Sequence, residues 1–409
     1  MKRKIGKIKE EIKGITLVAL VVTIIVLLIL AGVAISLSIG EDGIFKRAKE
    51  GAETYQNASE NEKVELDKVS NYINNYLKEN NKEDEEEEEE IVLDVEEAIK
   101  SGTIYKENTT IYDKYSNPVK VPAGFKLAQD SGTDVTKGIV IEDANAGDEI
   151  SKGNQYVWVP LGNIKYNENG DVKTINLGRY SFDATYNEET GQIEGTGEDT
   201  IQQLADDYEN IVTIDTYFKE LENSEHGNIV AKNLIEFITK TKASGGYYIG
   251  RFEAGKIEGN TNTFSIKKGQ EVYNEISEPN AANLSRNLYS SNNNFESDLI
   301  NSYAWDTAVV FIQTFSGDAD YSKQSRLQDE LTTTGNANDN NNYDVRCNIY
   351  DMAGNVREWT TETCEHSQNI PCTTRGGYYY SSQRCTASRN AYDMSSSFPR
   401  IGFRPILYL

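Results

Sequence analysis

The hydrophobic pattern begins with a long apolar segment behind a basic leader. Residues 1–14 contain most of the early lysines and an arginine, and residues 15–40 carry no charged side chain. As a helix, residues 15–40 would extend ~39 Å, which is enough to cross a hydrocarbon core of ~30 Å. The basic leader favours an N-terminus on the inside. We therefore predict a single-pass anchor in the cell membrane, with the C-terminal domain outside the cell.

The pattern then changes from helical to strand-rich. Residues 41–80 place apolar side chains at intervals of three and four, which predicts a helical stalk. Residues 81–90 are mostly acidic, and we interpret them as a solvated linker because like charges repel and bury nothing. Short apolar runs between turn residues predict a strand-rich region over 91–150. A further domain is predicted over 151–409.

Within residues 151–409 the sequence predicts both helices and strands. One helix is expected to end at Ser244-Gly245-Gly246, because glycine is common just past a helix C-terminus. A second helix is predicted over about residues 299–315. Asn169-Gly170 predicts a hairpin turn, and the composition of residues 336–342 indicates a loop. The predicted fold class is therefore α+β, behind an N-terminal transmembrane helix and a helical stalk.

Composition narrows the set of partners and cofactors. The chain has 41 Lys+Arg against 65 Asp+Glu, a net charge of -24, which argues against a nucleic acid partner. His226 and His366 are the only histidines, so a three-histidine metal site is excluded. No C-x-x-C motif occurs, which argues against a zinc ribbon. Four cysteines allow three disulfide pairings, and the sequence does not choose among them; they are Cys347, Cys364, Cys372 and Cys385.

The stretch from Tyr350 to Trp359 has the chemistry of a tight turn. Ala353-Gly354-Asn355 contains the two residue types that best tolerate positive φ. Asp351 and Glu358 flank it with carboxylates, and oxygens gathered around a turn are ligands that Ca²⁺ prefers. The simpler interpretation is a surface turn whose acidic side chains are solvated.

The tail that follows Arg375-Gly376-Gly377 is rich in tyrosine and serine. Tyrosine supplies rigid contact area and serine supplies adaptable hydrogen bonding, and binding loops of antibodies use the same pair. The alternative is that the tyrosines form ordinary sheet surface. We predict a surface that binds an unknown extracellular ligand. Its predicted residues are Tyr378, Tyr379, Tyr380, Ser381, Ser382, Tyr392, Asp393, Ser395 and Ser396.

The turn resembles the signature of the formylglycine-generating-enzyme (sulfatase-modifying factor) family, a variant of the C-type lectin fold. Other segments resemble family motifs in the same order: Tyr156–Pro160, Gly246–Ala254, Ser302–Ala308, Arg375–Gly377 and Ile401–Arg404. The resemblance implies a C-type-lectin-like domain over residues 151–409. It also implies a structural Ca²⁺, held by the side chains of Asp351 and Glu358 and the carbonyls of Gly354 and Val356.

Enzymes of this family oxidise a substrate cysteine with copper held by two cysteines. The resemblance places those two positions at Ser381 and Thr386. Cys385 lies one residue off this register and could not supply both ligands. We therefore expect no copper and no enzymatic activity, and a residual enzyme of this type is the third interpretation.

Two further resemblances concern the ends of the chain. Lys13–Val18 resembles a type IV prepilin leader, which implies cleavage between Gly14 and Ile15. The glutamate usual at the fifth mature position is Ala19 here, which argues against filament assembly. The tail resembles the variable region of proteins diversified by retroelements, which ends a lectin-like fold in the same way.

Together these observations favour a membrane-anchored display protein at the bacterial surface. Its lectin-like domain would bind an extracellular ligand through the tyrosine- and serine-rich tail, with diversification of that tail as an extension. The alternative is a minor type IV pilin or pseudopilin, a structural subunit whose partners are pilin-like subunits.

Overall fold

The computed structural model describes residues 92–182, 185–187, 189–190, 192–194, 202–205, 218–220, 229–339, 341–364 and 371–409. The chain divides into two units, residues 1–90 and 91–409, and every described residue belongs to the second. The predicted leader, anchor, stalk and acidic linker therefore lie outside the described residues. Within those ranges, no helix has the length and apolar character needed to cross a membrane.

The described elements comprise four α-helices and a larger number of short strands. The helices are α1 (Val95–Ser101), α2 (Leu234–Ser244), α3 (Glu278–Asn287) and α4 (Ser302–Phe315). The strands are β1 (Thr109–Tyr112), β2 (Pro118–Val121), β3 (Phe125–Leu127), β4 (Val140–Asp143), β5 (Gln155–Pro160), β6 (Gly162–Lys165), β7 (Val172–Ile175), β8 (Arg179–Ser181), β9 (Thr185–Asn187), β10 (Gln192–Glu194), β11 (Gln202–Ala205), β12 (Phe218–Glu220), β13 (Gly246–Gly250), β14 (Gly255–Ile257), β15 (Asn260–Ser265), β16 (Glu296–Leu299), β17 (Asn338–Asp339), β18 (Asn342–Tyr343), β19 (Val345–Arg346), β20 (Ile349–Tyr350), β21 (Arg357–Cys364), β22 (Cys372–Arg375), β23 (Arg389–Tyr392), β24 (Ile401–Phe403) and β25 (Pro405–Tyr408).

A six-stranded antiparallel sheet lies between two hydrophobic cores. Its order is β16-β25-β13-β5-β4-β3. Side chains alternate along β5, so that Tyr156 and Trp158 join one core while Val157 and Val159 join the other. Helices α2 and α4 contribute to the second core, and α3 contributes to the first. Because both faces are covered, this sheet is the rigid centre of the described unit.

A second sheet carries the turn and the tail. Its order is β12-β21-β22-β23, and β24 pairs with β21 in parallel. The long strand β21 begins directly after the turn, and all eight of its residues are buried. The tail runs from the end of β22 through β23 to β24. The remaining strands pair as separate two-stranded antiparallel sheets.

The structure confirms several elements that the sequence predicts. Helix α2 ends at Ser244, and Gly245 follows with a φ of 73°. Helix α4 covers most of the predicted second helix and begins after Asn301, whose side chain accepts from the N–H of Ala304. Gly170 takes a φ of 77° in the hairpin between β6 and β7.

Three elements differ from the sequence prediction. Residues 336–342, predicted as a loop, contain β17 and the start of the hairpin with β18. The strand-rich region over 91–150 starts with helix α1, which Asp94 caps. Helix α3 was not predicted, because its sequence is mostly polar; Ala281 and Ala282 are its fully buried apolar residues, and Leu284 packs against the core while partly exposed.

Candidate ligand-binding site

The predicted turn is buried and not solvated. Every residue from Asp351 to Thr360 is buried. Asp351 and Asn355 adopt φ values of 65° and 56°, so the chain bends through left-handed conformations at both. The interpretation of this stretch as a surface turn with solvated acids is therefore wrong.

Two aspartates hold the turn by accepting hydrogen bonds from backbone N–H groups. Asp351 accepts from Gly335 and Ala337, and so fixes the segment before β17. Asp344 accepts from the N–H of Ala353 at 2.7 Å. These bonds satisfy backbone donors that would otherwise be buried without a partner, which is costly.

Two glutamates complete this network. Glu253 accepts from the side chain of Asn355 at 2.8 Å and from the N–H of Val356 at 3.3 Å. Glu358 forms a two-bond pair with Arg404, at 2.9 and 2.6 Å. Burial raises the pKa of Glu253 well above its usual value, and the nearby charges of Asp351 and Glu358 raise it further.

These contacts bear on the predicted calcium site. Asp351 and Glu358 both direct their carboxylates at protein donors, and Val356 is held through its N–H. In the part of the chain that the structure describes, no three His, Cys, Asp or Glu side chains are arranged to hold a metal ion. Calcium at Asp351, Gly354, Val356 and Glu358 stays a prediction that this hydrogen-bonding pattern does not favour.

The turn supports the tail through backbone contacts. The N–H of Tyr379 donates to the carbonyl of Asn355 at 2.9 Å, and the N–H of Gln328 donates to the carbonyl of Tyr379 at 2.6 Å. Gly377 lies so close to the turn that an added Cβ would be 2.2 Å from the carbonyl oxygen of Ala353. The tail therefore begins from a fixed base.

Three consecutive tyrosines form a cluster of rings on this base. The ring centroids of Tyr378 and Tyr380 are 5.0 Å apart, and those of Tyr379 and Tyr380 are 4.9 Å apart, both edge to face. Such pairs are favourable beyond the area they bury. Tyr378 and Tyr379 are half-buried, while Tyr380 is 57% exposed. The cluster is thus ordered and accessible.

Arg357 joins this cluster to the second predicted part of the site. Its guanidinium carbon lies 4.2 Å from the ring centroid of Tyr378, and it donates to the hydroxyl of Tyr392. The Tyr392 ring in turn packs against Trp359 and Phe398, with centroids 5.7 Å apart in both pairs. We call Tyr378, Tyr379, Tyr380, Tyr392 and Arg357 the tyrosine surface.

The other predicted binding residues lie along the same tail without joining the ring cluster. Ser381 and Ser382 are half-buried, and the carbonyl of Ser381 accepts from Ser325. Asp393 is exposed and accepts from the N–H and the hydroxyl of Ser395, while Ser396 closes the same turn through its N–H. The structure thus brings the tyrosines together. The Asp393–Ser396 turn directly follows Tyr392 in sequence.

The sequence interpretation overlooked the arginines. Arg357 lies inside the turn motif, and neither Arg384 nor Arg400 was singled out in the tail. A signal was available: residues 378–400 contain three arginines and one aspartate, in a chain whose net charge is -24. A locally cationic segment in such an acidic chain is itself an indication of a binding site.

The positions that the family resemblance gives to copper ligands carry hydroxyls here. The Thr386 hydroxyl donates to the carbonyl of Gln324, and the carbonyl of Ser381 accepts from the hydroxyl of Ser325. Cys385 is buried beside Ser388, and burial raises the pKa of its thiol. Cys385 is a free thiol, as are Cys347 and Cys372. The geometry therefore offers no thiolate pair at these positions.

Comparison with known proteins finds one family model that is similar to part of the chain. Residues 278–408 match the model of the sulfatase-modifying factor enzyme 1-like domain. This match confirms the predicted resemblance over α3, α4, the turn and the tail. No curated protein matches this chain.

Similarity to solved structures is weak. CarF is 19% identical over 28% of this chain and 48% of its own, with a TM-score of 0.22; this chain thus spans about half the length of CarF. PvdO from Pseudomonas aeruginosa is 11% identical over 61% of this chain and 99% of its own, with a TM-score of 0.29. Treponema denticola variable protein 1 is 13% identical over 64% and 98%, with a TM-score of 0.24. TM-scores in this range establish neither a common fold nor a common function.

Proposed function

We propose that this chain is a cell-surface display protein whose sulfatase-modifying-factor-like domain binds an extracellular ligand through the tyrosine surface. The observation that carries the proposal is the packed ring cluster with Tyr380 57% exposed. Its backbone is fixed by a buried turn, so the rings need little further ordering when a ligand binds. Preorganisation of this kind lowers the entropic cost of association.

The composition of this surface supports binding over passive exposure. Tyrosine and arginine are over-represented among residues that dominate binding energy at interfaces. Met394, in the same tail, is 44% exposed and adds apolar area.

A binding assay with matched tyrosine variants tests the proposal. The detergent-solubilised full-length chain is applied to arrays of random peptides and of glycans. For any probe it binds, we expect Tyr379→Ala and Tyr380→Ala to weaken binding by about 30-fold, the effect of losing one dominant contact.

The control variants are Tyr112→Ala and Tyr343→Ala, since these tyrosines are 47% and 46% exposed and lie outside the tyrosine surface. Both should bind within twofold of the unchanged chain. Equal losses in all four variants, or no loss in any, would overturn the tyrosine surface as the binding site.

A binding role in place of catalysis is part of the proposal. It is supported by the hydroxyl side chains of Ser381 and Thr386 at the positions implied for copper ligands. Incubating the full-length chain with Cu(I), oxygen and a cysteine-containing peptide should leave the cysteine unconverted to formylglycine, as judged by peptide mass. Copper-dependent conversion would contradict this part.

The membrane anchor and the cleaved leader belong to the same proposal. They are supported by the uncharged segment over residues 15–40 and by the glycine at the predicted cleavage point. N-terminal sequencing of the protein from its native cells should begin at Ile15. A mature chain that begins at Met1 would remove the prepilin-like step, and cross-linking into filaments would favour the pilin alternative.

Diversification of the tail is the remaining part of the proposal. It is tested by sequencing the codons from Arg375 onward in many cells of one culture. Substitutions concentrated between Tyr378 and Phe398, with Gly354 and Gly402 constant, would support a diversified surface. A uniform tail would remove diversification and leave a fixed binding surface.

A further inference from the structure

Arg357 is a buried arginine that forms no ion pair with any acidic residue the structure describes. Arg357 is 4% exposed, and its Nε has no hydrogen-bond partner among the described residues. The interactions it does make are with rings: it stacks on Tyr378 and donates to the hydroxyl of Tyr392. No described carboxylate forms an ion pair with it. A guanidinium removed from water in this way is costly unless an anion accompanies it.

Three other buried arginines in this domain have acidic partners. Arg404 pairs with Glu358 at 2.6 Å, Arg375 pairs with Asp306 at 2.6 Å, and Arg179 pairs with Glu362 at 2.5 Å. Described carboxylates thus compensate these three interior guanidinium groups, whereas no described carboxylate pairs with Arg357. Arg326, also buried, likewise forms no described ion pair and donates to the side chain of Gln324 instead. An uncompensated buried charge is a local departure of the kind expected at functional sites.

Two more arginines approach the same place. The carbonyl of Arg400 accepts from the N–H of Arg357 at 3.0 Å, and the carbonyl of Arg384 lies 3.2 Å from where a Cβ on Gly377 would be, at the base of the tyrosine cluster. Consistent with this placement, burial lowers the pKa of the Arg357 guanidinium, and the positive charges of Arg384 and Arg400 lower it further. Neither forms an ion pair with a described carboxylate, and Arg400 stacks on Phe398 at 4.6 Å. Asp393, the one acid of the tail, is occupied by its own turn with Ser395.

We infer that Arg357, Arg384 and Arg400 form an oxyanion subsite within the tyrosine surface, and that this subsite binds a carboxylate from an acidic segment of a protein partner. A guanidinium and a carboxylate can form two parallel charge-assisted hydrogen bonds, which gives both affinity and orientation. The inference rests on the proposed binding function and names the chemical class of the partner.

The surroundings of the subsite favour a protein partner over a polysaccharide. Tyr380 and Met394 are exposed residues of the same tail. Tyrosine, methionine and arginine together are the residues enriched at the centres of protein interfaces. An acidic segment with one or two apolar side chains would therefore match both the charge and the apolar area of this surface.

The test uses fluorescence anisotropy with fluorescein-labelled octaglutamate as the probe and the full-length chain as the binder. We expect octaglutamate to bind and octaglutamine not to bind. Arg357→Met should weaken octaglutamate binding about tenfold or more, since it removes charge-assisted hydrogen bonds. Arg357→Lys should retain part of the affinity, because it keeps the charge and loses the planar fork.

Arg346→Met is the matched control. Arg346 lies in β19 and pairs with Asp318 at 3.0 Å, so its replacement removes the same charge away from the subsite. It should bind octaglutamate within twofold of the unchanged chain. Circular dichroism and thermal unfolding of each variant check that the domain is folded.

Three results would overturn the inference. Octaglutamate could fail to bind, Arg357→Met could bind it as well as Arg346→Met does, or hyaluronan could bind in an Arg357-dependent manner while octaglutamate does not. The last result would reassign the subsite to an acidic polysaccharide. If the Tyr380→Ala variant loses array binding while Arg357→Met does not, the proposed function stands and only the subsite fails.

Discussion

Two sets of arginines associated with the second sheet differ in what they face. The interior set surrounds Asp306 and Glu362: Arg375 and Arg389 contact Asp306 at 2.6 and 2.7 Å, and Arg179 contacts Glu362 at 2.5 Å. The members of the oxyanion subsite have no described carboxylate. Strand β23 contacts both sets, from opposite faces. Arg389 donates to Glu362, whereas Tyr392, three residues further along the strand, accepts from Arg357.

The comparison shows how one residue type serves two purposes. In the interior set, carboxylates compensate the charge, and the network fixes the positions of β21, β22, β23 and α4. Burial opposes ionisation of Glu362, but the charges of Arg389, Arg179 and Arg375 outweigh it and lower the pKa of Glu362 to about 2. In the subsite the compensation is left to a partner.

The largest expected effect comes from removing a carboxylate of the interior set. Asp306→Ala leaves Arg375 and Arg389 buried with reduced compensation, and we expect it to lower the free energy of unfolding by about 3–5 kcal/mol. Urea denaturation of the full-length chain measures this. The control is Asp318→Ala, at a partly exposed pair with Arg346, which should cost under about 1 kcal/mol; similar losses in both would contradict the comparison.

The second expected effect is a pH dependence at the edge of the interior set. Glu220 accepts from the N–H and hydroxyl of Ser302 and from the hydroxyl of Thr361. Burial raises the pKa of Glu220 from 4.5 to about 7, and the charge of Glu362 adds to this. Between these two pH values the folded protein keeps a proton that the unfolded chain releases.

Raising the pH through this window therefore favours unfolding. We expect Glu220 to reduce the free energy of unfolding by up to ~3 kcal/mol between pH 4.5 and pH 8. Glu220→Gln, which imitates the protonated acid, should show a flatter pH profile over that range. Parallel profiles for the variant and the unchanged chain would show that Glu220 ionises normally.

A smaller effect is expected where the interior supports the tyrosine surface. In Gly377→Ala the new Cβ would lie 2.2 Å from the carbonyl oxygen of Ala353, and overpacking of this kind costs about 1–3 kcal/mol. The displaced tail should also lose binding on the arrays. Gly269→Ala, with a φ of +77° and open space around it, measures the conformational cost alone and should leave array binding unchanged.

The smallest expected effect is the change in stability on removing the guanidinium of Arg357. Arg357→Met should leave the free energy of unfolding within about 1 kcal/mol of its original value, because an uncompensated guanidinium is replaced by an apolar side chain. Arg375→Met, at a compensated position, should lower the free energy of unfolding by several times as much. A loss of more than ~2 kcal/mol in Arg357→Met would show that this arginine supports the fold.

Much of the fold could be predicted from local patterns. The glycine at position 245 marks the end of α2, and the apolar face around Tyr303 and Ile312 predicts α4. These signals lie within a few residues of each other, so a single sequence contains them. The polar helix α3 was not predicted, because its buried face, which includes Ala281 and Ala282, packs on a core formed by strands that are distant in sequence.

The site was predictable only in part, for the same reason. The tyrosines of the tail are adjacent in sequence, and their composition alone predicts a binding surface. Arg357 belongs to that surface because β21 and β23 lie on either side of β22, which brings it to Tyr392. The burial of Asp351 and Glu358 likewise depends on Gly335 and Arg404, which come from other elements.

The position of β25 has a consequence for how variants of the tail are made. This strand follows the tail in sequence and lies between β13 and β16 in the first sheet. A stop codon anywhere in the tail would therefore remove β24 and β25 together, leaving β13 with β5 as its one neighbour in this sheet and separating β16 from the sheet. Such truncated chains could not complete the core and would be lost to proteolysis. Premature termination in the binding segment thus eliminates its own product, and each chain that matures carries the tail in full.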